Sequence, residues 1–170
     1  MLKTKQIILV FVFIGLTFNS LAQQYLLKNE EIVFSFQTGN GKIMTLCKAK
    51  DNAYLVYRFG SNAKVELEYP SIKNKSSWQK FTYAFYLRGG GIQNEAMDLN
   101  ELSFENEGIF YTIYQNYVAR KNKYEIGIDI EDVNNHKTFH IIGRKQTQKG
   151  TLIDFRDNTL ISKKDNLFDK

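Results

Sequence analysis

Two groups of residues have the types and spacing that catalysis or metal binding would use. In Val65-Glu66-Leu67-Glu68-Tyr69, the two glutamates leave the same face of an extended strand, ~6.6 Å apart. That separation falls near the one used by paired carboxylates in inverting glycoside hydrolysis. Outward residues of any amphipathic strand share it, however, and catalytic carboxylates normally flank a cleft from different elements. A solvated strand face is therefore the expectation for Glu66 and Glu68, and equally for Asp129 and Glu131. His136 and His140 are the two histidines, and on an extended chain four residues span roughly 13 Å, too far for one metal ion. They read as a turn histidine and a surface strand histidine, with no metal site. The chain has no Gly-x-Ser-x-Gly, no cysteine-protease signature and no phosphate loop. No catalytic residue and no cofactor is expected, although a site assembled from distant segments escapes such a search.

The most unusual local feature is Arg88-Gly89-Gly90-Gly91, followed by Asn94-Glu95. Successive glycines cost backbone entropy at the end of a strong strand, and something must compensate. One reading is a bulge or corner where the sheet folds over. The other is a binding loop with bare glycine amides, to which Arg88 supplies charge; Arg88, Gly89, Gly90, Gly91, Asn94 and Glu95 are then the candidate contact residues. No helix pattern follows the glycines, so nucleotide binding is not supported. Tyr83, Tyr86, Tyr111, Tyr114, Tyr117 and Tyr124 cluster in mid-chain. Most are expected to fill a wide core, while any exposed beside Arg88, Arg120 and Lys123 would suit protein or sugar recognition. Cys47, the single cysteine, precludes an intrachain disulfide and reads as a buried, inert thiol; an intermolecular bridge is the alternative.

The elements that must position these residues are short β-branched and aromatic runs separated by polar turns. Residues 32–36 and 42–47 form a hairpin around Thr38-Gly39-Asn40-Gly41. Residues 54–59 carry large side chains on both faces, as in a covered strand. Residues 65–69 alternate and end at Pro70, which cannot donate to a ladder. Phe81, Tyr83, Phe85 and Leu87 share one face of the most aromatic strand and are expected to build core. Residues 92–100 read as an irregular loop, and residues 94–102 have room for one helical turn. A second hairpin turns at Asn106-Glu107-Gly108, and residues 124–130 pair with 138–142. The basic stretch 144–149 precedes a short strand at 151–153. The fold expected is all-β, a single antiparallel sandwich or closed barrel of about eight to nine strands.

Lys3 and Lys5 precede a twelve-residue apolar run, 7–18, and then Ser20-Leu21-Ala22. This is the pattern of a secretory signal peptide over residues 1–22, cleaved after Ala22. A retained interfacial anchor is the alternative, since the run is too short to span a bilayer. No cysteine stands at the junction to take a lipid. Removing 22 of the 170 residues leaves 148, one domain over 23–170 with a loose tail from about 163 to 170. The formal charge of +5 falls to +3 without Lys3 and Lys5. So small a surplus does not argue for nucleic acid, and no stable membrane insertion is expected after cleavage.

Leu46-Cys47, Tyr54-Leu55-Val56-Tyr57-Arg58-Phe59-Gly60, Glu66-Leu67-Glu68-Tyr69-Pro70 and Arg88-Gly89-Gly90-Gly91, in this order, resemble a group of small exported bacterial proteins of unassigned function over residues 32–100. That resemblance implies a cysteine in the first strand able to pair with one in the second. Phe36 stands at the corresponding position here, leaving Cys47 without that partner. More loosely, an exported β domain opening with hairpins is similar to the periplasmic lysozyme inhibitors, which plug a hydrolase cleft with a loop; no functional residue carries over, and their usual cysteines are absent. The expectation is a periplasmic or secreted binding protein whose partner is an envelope protein such as a cell-wall hydrolase. A glycan is the alternative partner.

Overall fold

The computed structural model describes residues 25–164 and Leu167; the segment read as a signal peptide lies outside the described residues. Ten strands form one sheet: β1 (Glu30–Thr38), β2 (Ile43–Ala49), β3 (Leu55–Ser61), β4 (Lys64–Tyr69), β5 (Thr82–Arg88), β6 (Met97–Asn106), β7 (Ile109–Val118), β8 (Lys123–Asp132), β9 (Lys137–Gly150) and β10 (Ser162–Lys163). Their order is β10-β5-β6-β7-β8-β9-β1-β2-β3-β4. Neighbours are antiparallel except β10, which runs parallel to β5. Turn chemistry sets the hairpins. Between β6 and β7 only Glu107 and Gly108 intervene, at φ 54° and 77°, the paired positive angles that match the twist of a two-residue reversal.

The sheet is all-β, as expected, but differs in strand count and closure: it is a half-barrel of ten strands, not a sandwich or closed barrel of eight or nine. Residues 97–100 are the start of β6 and not loop, because Met97 to Asn100 pair with both β5 and β7. The basic stretch 144–149 lies within β9, and in place of a strand at 151–153 the chain forms a 3-10 helix, Leu152–Phe155. Lys163, where the loose tail was expected to begin, is still in the sheet, and the Lys164 N–H donates to the Tyr83 carbonyl at 2.9 Å. The sheet order leaves β4 unpaired with β5, and the connection between them contains a 3-10 helix, Lys75–Lys80. This helix buries Trp78 in the core, with its indole N–H on the Asn52 carbonyl at 3.0 Å.

The inner face holds the main core. Phe34, Phe36, Met44, Leu46, Leu55 and Tyr57 from one half of the sheet meet Phe81, Tyr83, Leu102, Phe104 and Ile113 from the other. The halves touch through aromatic rings: Tyr69 stacks on Phe104 at 4.5 Å, and the Tyr57 ring lies 5.0 Å from that of Phe104. Leu152 and Phe155 close the space from above. A smaller cluster, Cys47, Ala49, Tyr54 and Val56, packs on the outer face. Cys47 stands opposite Ile32, whereas Phe36 stands opposite Met44 and faces the core. A cysteine at 36 would thus project from the other side of the sheet.

Candidate functional site

The glycine loop is a closed corner at one end of β5, β6 and β7. Gly90 and Gly91 take φ 96° and 67°, and Glu95 φ 50°. A β-carbon on Gly90 would lie 2.1 Å from Asn94 Nδ2, so the glycine is required both by its angle and by the packing of Asn94 against it. Arg88 Nη2 donates to the Glu95 carbonyl at 2.7 Å, Nε does so at 3.0 Å, and Nη2 reaches Glu95 Oε2 at 3.3 Å. Arg120 Nη1 donates to Glu95 Oε1 at 2.5 Å, and the Ala119 N–H to the Ala96 carbonyl at 2.9 Å. The six residues singled out in the sequence are therefore brought together. Arg88 and Glu95, however, spend much of their hydrogen bonding in bracing the corner.

The side chains left open beside it are apolar. Phe85 and Leu87 lie on the core face of β5, like Tyr83 and the preceding Phe81, yet they are 39% and 57% exposed. The expectation that all four build core fails for these two. The core ends at Tyr83, because the residues opposite and beyond are polar: Leu87 pairs with Asp98, Asp98 with Tyr117, Phe85 with Asn100 and Asn100 with Gln115. Ile92, in the 3-10 turn Ile92–Asn94, is 69% exposed and Tyr117 is 37% exposed.

Next to this patch runs a polar network. The Tyr83 hydroxyl donates to Asn100 Oδ1 at 2.7 Å; Asn100 Nδ2 donates to Asp98 Oδ1 at 2.7 Å and to the Gln115 carbonyl at 3.2 Å. Arg156 Nη2 donates to Asn100 Oδ1 at 2.9 Å and to Asp98 Oδ1, with its guanidinium 5.0 Å from the centre of the Phe85 ring. Gln115 Oε1 accepts the Leu152 N–H at 2.8 Å and the Thr151 hydroxyl at 3.0 Å. Burial pushes the Tyr83 hydroxyl up to about 12 despite the opposing influence of Arg156, so it remains a protonated donor. Arg156 Nε is buried without a partner. The arrangement can bind polar groups.

The other sequence candidates are dispersed. Glu66 pairs with Lys42 at 2.6 Å, and Glu68 with Arg58 at 2.7 Å and Lys73 at 2.5 Å. Each is thus held by cations of its own. His136 sits exposed in the turn before β9, and His140 Nδ1 lies 2.7 Å from Asp129 Oδ1 on the exposed outer face. Glu101, Asp129 and Glu131 line a shallow outer groove with Phe110 and Thr112. Burial, then the charge of Asp129, push the Glu101 carboxyl up. Among the described residues no group of three or more histidine, cysteine or acidic side chains is placed to hold a metal.

Sequence reasoning missed two arginines, Arg156 and Arg58. Arg58 is buried on the outer face, donating from Nη1 to Glu30 Oε2 at 2.7 Å and from Nη2 to Glu30 Oε1 at 2.8 Å. Its signal was a charge in the middle of Leu55-Val56-Tyr57-Arg58-Phe59, since a cation in so apolar a strand needs a partner. Arg156 follows a short 3-10 helix in an otherwise featureless segment and gave no such signal. Among the described residues no helix is long and apolar enough to cross a membrane. Comparison of the chain with protein-family models, with curated proteins and with solved structures finds no match.

Proposed function

We propose that this chain is an exported binding protein that recognises another protein of the cell envelope, in the manner of an inhibitor or immunity protein, with the glycine-loop end of the sheet as its contact surface. The observation that carries this reading is the exposure of Leu87 and Ile92, with Phe85 and Tyr117, at one end of the sheet. Large apolar side chains gathered around a braced corner mark interaction surfaces more often than solvent-facing ones. Arg88 and Arg120 at the rim favour a partner with acidic groups.

Cross-linking in envelope extract tests the assignment. Wild type should capture a partner that Leu87→Asp and Ile92→Asp lose, with unfolding midpoints unchanged; equal capture by all three would remove the surface from consideration. Mixing the protein in excess with lysozymes and peptidoglycan hydrolases tests the inhibitor form, which undiminished hydrolysis would exclude.

A second reading rests on the inner polar network. Asp98, Asn100 and Arg156 beside the rings of Phe85 and Tyr117 combine planar polar groups with aromatic faces, a pairing suited to sugar hydroxyls and ring C–H groups. Retention on a glycan array, abolished by Asp98→Ala, would favour it over a protein partner.

A further inference from the structure

We infer that the free edge of β5 takes up an extended, acid-flanked segment of the partner protein as an added β-strand. This rests on the contact surface proposed above and specifies how that surface is used.

Main-chain geometry leads to this assignment. The Lys164 N–H donates to the Tyr83 carbonyl at 2.9 Å, while the Thr82 carbonyl faces β6, accepting the Ser103 hydroxyl at 3.3 Å. Main-chain groups of a strand alternate in direction with a period of two. Phe85 and Leu87 therefore present N–H and C=O on the same side as Tyr83. β10 pairs with Thr82 and Tyr83 and ends the sheet order, and among the described residues no strand pairs with this edge beyond them. The edge already accepts one strand, parallel β10, and Lys164 and Leu167 line a groove with Thr82, Ala84 and Glu101.

The two edges of the sheet are treated differently. β4 carries Lys64, Glu66 and Glu68, is followed by Pro70, and has its Lys64 carbonyl taken by the Tyr25 hydroxyl at 3.2 Å. Charges and proline are the usual means of blocking strand addition. Ala84-Phe85-Tyr86-Leu87 has neither, and its inward side chains at 85 and 87 are exposed. An added strand would cover them while satisfying the edge.

Charge selects the occupant. Lys163 and Lys164 stand at one end of the free edge and Arg88 and Arg120 at the other. Glu95 and Asp98 are paired to arginines, with Arg88 and Arg120 together outnumbering Glu95, and at the other end the two lysines outnumber Glu101, which interacts with Lys164. A second copy pairing antiparallel would set Arg88 of one chain against Lys164 of the other, which like-charge repulsion opposes. A foreign segment with apolar residues in the middle and acidic residues at its ends meets no such penalty.

The test uses a phage library of random twelve-residue peptides, selected on the protein purified from the full-length gene. Enriched sequences should alternate apolar residues between acidic ones. On binding, the amides of Phe85 and Leu87 should exchange at least tenfold more slowly. Leu87→Pro, which removes an outward N–H that no described strand uses, should weaken binding at least tenfold, whereas Leu87→Val should retain it. If Leu87→Pro does not fold, N-methylation of alternate amides of the selected peptide interrogates the same bonds on unaltered protein. Binding lost with Leu87→Asp but kept with Leu87→Pro or with N-methylated peptide would overturn strand addition and leave the surface standing. No enrichment above uncoated wells would also overturn strand addition, while the cross-linking result would still decide the surface. Peptides indifferent to both substitutions would remove the two together.

Discussion

Arg58 shows how one side chain sets the chemistry of a whole face. Its guanidinium is 2% exposed and its partner Glu30 fully covered, and Glu30 also receives the Leu27 N–H at 2.8 Å and the Tyr54 hydroxyl at 2.9 Å. Removing one member of a buried, satisfied pair leaves the other uncompensated. Arg58→Ala should therefore cost about 3–5 kcal/mol in urea unfolding. Burial pushes the Glu30 carboxyl up, but the hydrogen bonds and charge of Arg58, with the Leu27 N–H, outweigh it and hold it below its ordinary value. A carboxylate lowered in this way stabilises the fold above its unfolded pKa, about 4.3, and that stabilisation is lost as pH falls through the folded value. Urea midpoints measured from about pH 6 to about pH 3 should drop for wild type. Glu30→Gln should start lower and fall less steeply. Cys47, beside this pair, is pushed up to about 12, by burial first and then by the charge of Glu30, in keeping with the inert thiol expected of it.

At the scale of elements, the corner after β5 is where backbone angle and packing coincide. Gly90→Ala would place a β-carbon at φ 96° and against Asn94, and such strain typically costs about 1–3 kcal/mol. Thermal unfolding should show that loss, and binding by the glycine-loop end should weaken with it, because Arg88 and Glu95 no longer meet in the same geometry. Gly89→Ala, with nothing within 4 Å of the added atom, should leave both nearly unchanged. This contrast separates a required conformation from mere glycine content. The triple glycine was legible in the sequence as a place of backbone demand. Which glycine bears the demand was not, since that depends on Asn94 and Glu95 folding back onto it.

Across the whole molecule, the half-barrel depends on segments far apart in the chain. Leu152, Phe155 and Ile161 are buried in the main core, and β9 joins the two halves by pairing with β8 and β1. A chain ended after Gly150 keeps nine strands but loses these three side chains and β10. Each large buried apolar side chain contributes about 1.5–3 kcal/mol, and a domain has only about 5–15 to lose. That truncation should show no cooperative unfolding transition by Trp78 fluorescence.

What the sequence determined by itself were the local periods: the alternation of 65–69 and 124–130, the reversal at Glu107-Gly108, the backbone demand at 89–91 and the burial of Cys47, each dictated within a few residues by side-chain direction or allowed φ. Tertiary structure alone decided that the sheet stays open, that Arg58 finds Glu30, and that the inner face of β5 turns from core at Tyr83 to surface at Phe85. Those outcomes depend on which strands lie side by side and on what caps the space between them. A strand's alternation says which side chains share a face, and only the neighbouring chain says whether that face is covered.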